Sequence, residues 1–187
     1  MRFPSARRPI WTENKAKLIE RYLYYFVLIT KHGAYIDGFA GPQYYDKADA
    51  WAAKLVLEST PPRLREFWLC EIAEEGTARL RELAEAQPKV RGRKIQVVPG
   101  DFNRNVASLL ANSGIRDKTA TFCLLDQRTF ECEWKTLVTL SRHRSDYKMS
   151  CSISSLPAGS TNRSKQQRTS IFFSAGGAAT TTARCWE

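Results

Sequence analysis

Four short apolar runs, each closed by an acid and followed by a stretch of helical periodicity, constrain this chain more than any other feature. The first is Ala34-Tyr35-Ile36-Asp37 and the second Phe67-Trp68-Leu69-Cys70-Glu71. The third covers residues 94–98, with Gly100-Asp101 behind it, and the fourth is Phe122-Cys123-Leu124-Leu125-Asp126. Runs that are apolar without alternation belong to strands covered on both faces, and strands that alternate with helices form a parallel sheet. Helices are expected over residues 12–30, 48–57, 74–86, 102–111 and 133–143. In the first of these Leu18, Ile19, Tyr22, Leu23, Phe26 and Ile29 fall at helical spacing. Thr12 is expected to cap it, although Lys15 stands where a capping box needs an acid. The fold class that follows is α/β: a Rossmann-like, mostly parallel sheet with helices on both faces, truncated after the fourth strand.

In such sheets ligands bind off the carboxyl ends of the strands, near the topological switch point. A charge beside a buried strand end is costly, so an acid at all four ends points to a ligand. The loop Asp37-Gly38-Phe39-Ala40-Gly41-Pro42-Gln43 has glycines that let the backbone approach a ligand closely. Glu71 is placed to accept from two ribose hydroxyls and Asp101 from an adenine amino group. Phe102 and Ile72 are placed to flank a base. A dinucleotide site needs G-x-G-x-x-G and an acid ~20 residues further on. This loop lacks that spacing, and Glu71 lies more than 30 residues beyond Gly38. S-adenosylmethionine therefore fits better than a nicotinamide dinucleotide. The plainer reading makes Gly38 and Gly41 a tight turn, and Glu71 and Asp101 solvated loop acids. Trp11, Trp51, Trp68 and Trp134 read as core and rim residues.

Three stretches carry a family resemblance: Trp11-Thr12-Glu13-Asn14-Lys15, the segment from Tyr35 to Pro42, and the segment from Leu125 to Trp134. Over about residues 10–147 the chain resembles the three-Cys-motif partner protein family (TcmP), bacterial proteins similar to class I S-adenosylmethionine-dependent methyltransferases. The resemblance implies that Asp37, Gly38 and Gly41 line the methionine part of the cofactor, with Glu71 at the ribose and Asp101 at the adenine; Phe39 and Phe102 complete the expected cofactor-binding set. It implies Asp126 as the catalytic residue beside the transferred methyl, no metal, and a three-cysteine neighbour protein as a partner. Two departures stand out. Gln43 replaces the last glycine of such loops, and Asp126-Gln127-Arg128-Thr129 replaces the Asp-Pro-Pro-aromatic pattern of amino-methylating enzymes.

The net charge of +10 makes nucleic acid a second partner class. A non-catalytic nucleic-acid or protein-partner module is thus the rival reading. A metal-dependent enzyme using Asp101 and Asp126 is a third. No apolar run reaches the ~18–20 residues of a membrane span. The opening of the chain has basic residues and two prolines but no apolar stretch, so no secretory leader is expected. The five cysteines match no zinc spacing and read as reduced thiols, which implies a cytoplasmic location.

Residues 148–187 have another composition, with 13 Ser and Thr, no Asp and no Val. Back-translated and read from the third base of each codon, the region after Met149 yields Val-Leu-Phe-Tyr-Phe-Leu, an apolar strand. The region after Phe172 yields a Trp-Trp-Gly and Asp-Asp-Tyr segment. The expected organisation is a flexible basic arm over 1–10, a partial methyltransferase-type domain over 11–147, and an out-of-frame disordered tail over 148–187. The product is expected to be an incomplete, inactive copy with residues 122–125 left as a bare sheet edge.

Overall fold

The computed structural model describes residues 11–44, 46–59, 64–115, 119–127, 131–143 and 150–153. The basic arm, Arg128, Thr129, Phe130 and most of the tail lie outside the described residues. In chain order the elements are α1 (Trp11–Thr30), β1 (Gly33–Asp37), a short 3-10 helix (Ala48–Ala50), α2 (Ala52–Glu58), β2 (Leu64–Glu71) and α3 (Glu74–Glu85). There follow β3 (Lys94–Pro99), α4 (Phe102–Asn112), β4 (Thr121–Leu125), α5 (Trp134–Arg142) and β5 (Ser150–Ile153). Thr12 lies inside the first turn of α1 rather than before it.

The strands form one parallel sheet in the order β3-β2-β1-β4-β5. Every residue of β1 and β4, the two central strands, is buried. Alternate side chains feed two cores. Tyr35, Phe67, Leu69, Phe122 and Leu124 meet Ile19, Leu23, Phe26 and Val27 of α1, together with residues of α2 and α3. Ala34, Ile36, Trp68, Cys70, Cys123 and Leu125 meet α4 and α5 through Phe102, Val106, Leu109, Leu137 and Leu140. Covering both faces removes the need for polar alternation, which is why these strands read as unbroken apolar runs.

The sheet does not stop at its fourth strand. Residues 150–153 pair in parallel with β4, Phe122 to Ser150 and Leu125 to Ile153. The expected bare edge is therefore covered, and the tail contributes at least one strand. The physical reason is that ladder bonds are made by the main chain, so a Ser-Cys-Ser-Ile segment can pair where an apolar one was anticipated.

Candidate functional site

From β1 the chain steps to β2 and β3 on one side, whereas β4 and β5 lie on the other. The switch point is thus the cleft between the carboxyl ends of β1 and β4. Asp37 ends β1 opposite Leu124, and Asp126 follows β4 by one residue. The Gly38 amide donates to the Leu124 carbonyl at 3.0 Å and the Ala40 amide to the Cys70 carbonyl at 2.8 Å. The Trp51 indole donates to the Ala40 carbonyl at 2.7 Å. The glycine loop is thereby tied to β4, to β2 and to the start of α2.

Both glycines of the loop are required by their neighbours. A Cβ at Gly38 would come within 2.8 Å of the Phe102 ring. A Cβ at Gly41 would stand 2.0 Å from Glu71 Oε2. That close approach has a purpose, because the Gly41 amide donates to Glu71 Oε2 at 2.8 Å while the Ala73 amide donates to Oε1 at 2.8 Å. Glu71 thus clamps the glycine loop to the turn between β2 and α3.

Asp37 is almost fully buried. Its Oδ2 accepts from the Tyr35 hydroxyl at 2.8 Å and its Oδ1 from the Phe39 amide at 3.1 Å. Burial pushes its carboxyl up from 3.8 to about 7; the two hydrogen bonds oppose that shift, and the charges of Asp126 and Glu71 add to it. Burial also raises the Tyr35 hydroxyl, with Asp37 adding to the effect. The thiol of Cys70 is pushed up to about 12 by burial, with smaller effects from Asp37 and Glu71, so it is no nucleophile here.

Asp126 is largely buried and is paired through Oδ1 with the ammonium of Lys15 from α1. Asp101 caps α4, its Oδ1 accepting from the Asn103 amide at 2.9 Å and from Asn103 Nδ2 at 3.0 Å. The Phe102 ring departs from its expected place. It is 1% exposed, packed beneath Gly38 and edge-on to Phe39, so it offers no stacking face to a base. The first helical position after an N-cap turns inward here, towards the second core. Ile72 remains exposed at the rim.

Asp37, Phe39, Ala40, Gly41, Gln43, Trp51, Leu124 and Asp126 line one small cavity of about 20 Å³, the size that holds one water. Glu71 adjoins it through Gly41, while Asp101 lies further along the same edge of the sheet. Among the described residues no group of three or more His, Cys, Asp and Glu side chains is placed to hold a metal ion. No helix among them is long and apolar enough to cross a membrane.

Two contributors escaped the sequence reading. Lys15 is 111 positions from Asp126, and its only signal was that it replaces the acid of a capping box. Asn103 ties the start of α4 to that of α5, accepting from the Glu133 amide and the Thr136 hydroxyl. The fold and the site define an α/β protein with an acid-lined cleft at the switch point of a parallel sheet. Scans against protein-family models and against curated proteins find no match to the chain.

Proposed function

We propose that the chain is a methyltransferase-type domain that binds S-adenosylmethionine at this cleft, a relative of the three-Cys-motif partner proteins. The observation that carries the reading is the convergence of Asp37, Glu71 and Asp126 around the glycine loop, with Lys15 as the counter-charge. An acid-lined cleft favours a cationic ligand and repels phosphate. That speaks for a sulfonium nucleoside over a dinucleotide, and nucleic acid would have to use another surface.

The residues suit the group chemically. Asp37 beside the Phe39 amide offers an anionic acceptor to a ligand ammonium or sulfonium. The carboxylate of Asp101 and the first-turn amide of Phe102, which a helix start leaves without an intrahelical acceptor, match the amino donor and ring-nitrogen acceptor of an adenine edge. The cavity is far below the ~300 Å³ of small ligand pockets, so binding requires the loop to lift. Release of the Gly41 amide by Glu71 is the natural opening, since it also frees the carboxylate for ribose hydroxyls. When bound, the group supplies an electrophilic methyl on a sulfonium. Asp126, paired with Lys15 beside the cleft, orients an acceptor. Catalysis in such a site is mostly positioning.

Calorimetry of the full chain with S-adenosylmethionine tests the reading. Binding should be tighter than for the thioether product, which keeps the ammonium but lacks the sulfonium charge, and ATP should give no heat. Glu71→Ala should weaken it about tenfold or more, the worth of a hydrogen bond to a charged group. No heat for the wild type at about millimolar ligand, where a Kd corresponds to roughly −4 kcal/mol, removes the proposal.

A further inference from the structure

We infer that two copies of this chain pair antiparallel through the outer face of α1. One side of that helix is spent on the first core, through Ala16, Ile19, Leu23, Phe26 and Val27. Its other side is also apolar. Leu18, Tyr22, Tyr25 and Ile29 recur at intervals of four, three and four and, at ~100° per residue, fall within about 60° of arc. They are 62%, 41%, 51% and 81% exposed in the monomer, although Tyr22 also touches the Phe122 ring. Spacing of this kind makes the seam of a helix pair, and a helix that is apolar on both faces is one that is covered on both.

The stripe itself indicates what covers it. Positions 18 and 29, and positions 22 and 25, are symmetric about a point between Leu23 and Tyr24. In an antiparallel pair with its two-fold axis there, Leu18 faces the partner's Ile29 and Tyr22 faces the partner's Tyr25. The pattern aliphatic, tyrosine, tyrosine, aliphatic is its own complement, as an isologous interface requires. Charge agrees. Every charged residue of α1 lies at or before Arg21, and residues 22–30 have none. A parallel pair would align Lys17 and Arg21 with their own copies. The antiparallel pair sets each charged half against an uncharged one and opposes the helix dipoles.

The exposed stripe amounts to roughly 500 Å² a side, about 1,000 Å² in the pair, the lower end of specific interfaces. The expected dimer is therefore reversible, with the tyrosine hydroxyls at the wet rim.

Sedimentation velocity of the full chain over a range of concentration reads this directly. We expect exchange between 21.3 kDa and twice that mass. Ile29→Glu, at a site 81% exposed in the monomer, should weaken the dimer at least about 30-fold, since a symmetric pair loses two contacts, without lowering the melting temperature of the monomer. Tyr25→Glu should do the same. Oxidising a mixture of a Leu18→Cys chain and an Ile29→Cys chain should give a linked peptide joining position 18 to position 29. A wild type that stays monomeric at about 100 µM overturns the inference, as does a dimer untouched by both glutamates or one lacking the 18-to-29 link.

Discussion

At the scale of single residues, Asp37 holds the tension of the site. Its folded value, about 7, lies above the 3.8 of a free carboxyl, chiefly through burial. A raised acid gives its full share of stability at low pH and loses it as pH rises through the folded value. At 1.36 kcal/mol per unit the loss is about 4 kcal/mol by pH 8. Asn can mimic the protonated form, donating to the Tyr35 hydroxyl while accepting from the Phe39 amide. The stability of Asp37→Asn relative to wild type should thus climb by up to ~4 kcal/mol between about pH 4 and pH 8, read by urea unfolding. A difference that stays flat with pH shows Asp37 ionised throughout. The same variant should bind a cationic ligand more weakly, because the site keeps a costly charge for use. That an acid stands at or just after the end of each of β1 to β4 was legible from the chain, because strand ends are marked by where apolar runs stop. What each acid does was not. Glu71 is turned onto two backbone amides and Asp126 onto a lysine 111 positions away, and neither pairing leaves a local signal.

Among the elements, the helices and the first four strands fall within three residues of their expected ends, because their apolar periodicity is set by packing on the sheet. The exception is residues 48–57, which read as one helix. The chain breaks at Trp51, whose backbone is extended and whose indole is drawn to the Ala40 carbonyl. A tertiary hydrogen bond has overridden a local preference. Asn103 is the corresponding joint on the other face. Its amide donates to Asp101 Oδ1 and to the Glu131 carbonyl at 2.8 Å, and it accepts from the Glu133 amide at 2.8 Å and the Thr136 hydroxyl at 2.7 Å. All four capacities are used, and Thr136 is buried. Asn103→Ala should lower stability by ~2–3 kcal/mol, more than a surface change, because the Thr136 hydroxyl is left inside without its acceptor. A loss below about 0.5 kcal/mol in urea unfolding would place the joint on water instead.

For the whole molecule, the order β3-β2-β1-β4-β5 makes a graded prediction about how the sheet comes apart. β1 is paired on both sides and buried along its length, and β4 is buried likewise. Their amides should exchange with solvent only through global unfolding. β5 pairs on one side through four residues. Two of these are serines, which are not favoured in strands, so its amides should exchange through a local opening well below the global free energy. Its position coincides with the region where the shifted frame reads Val-Leu-Phe-Tyr-Phe-Leu, a segment with far more apolar surface for the same register. Replacing residues 149–154 by that sequence should slow exchange in β4 and β5 together and leave β2 and β3 unchanged. The outer strand would then join the cooperative core through side chains as well as the ladder. Equal protection of β5 and β1 in the present chain would mean that main-chain pairing alone completes this sheet, and the shifted frame would lose its physical motive.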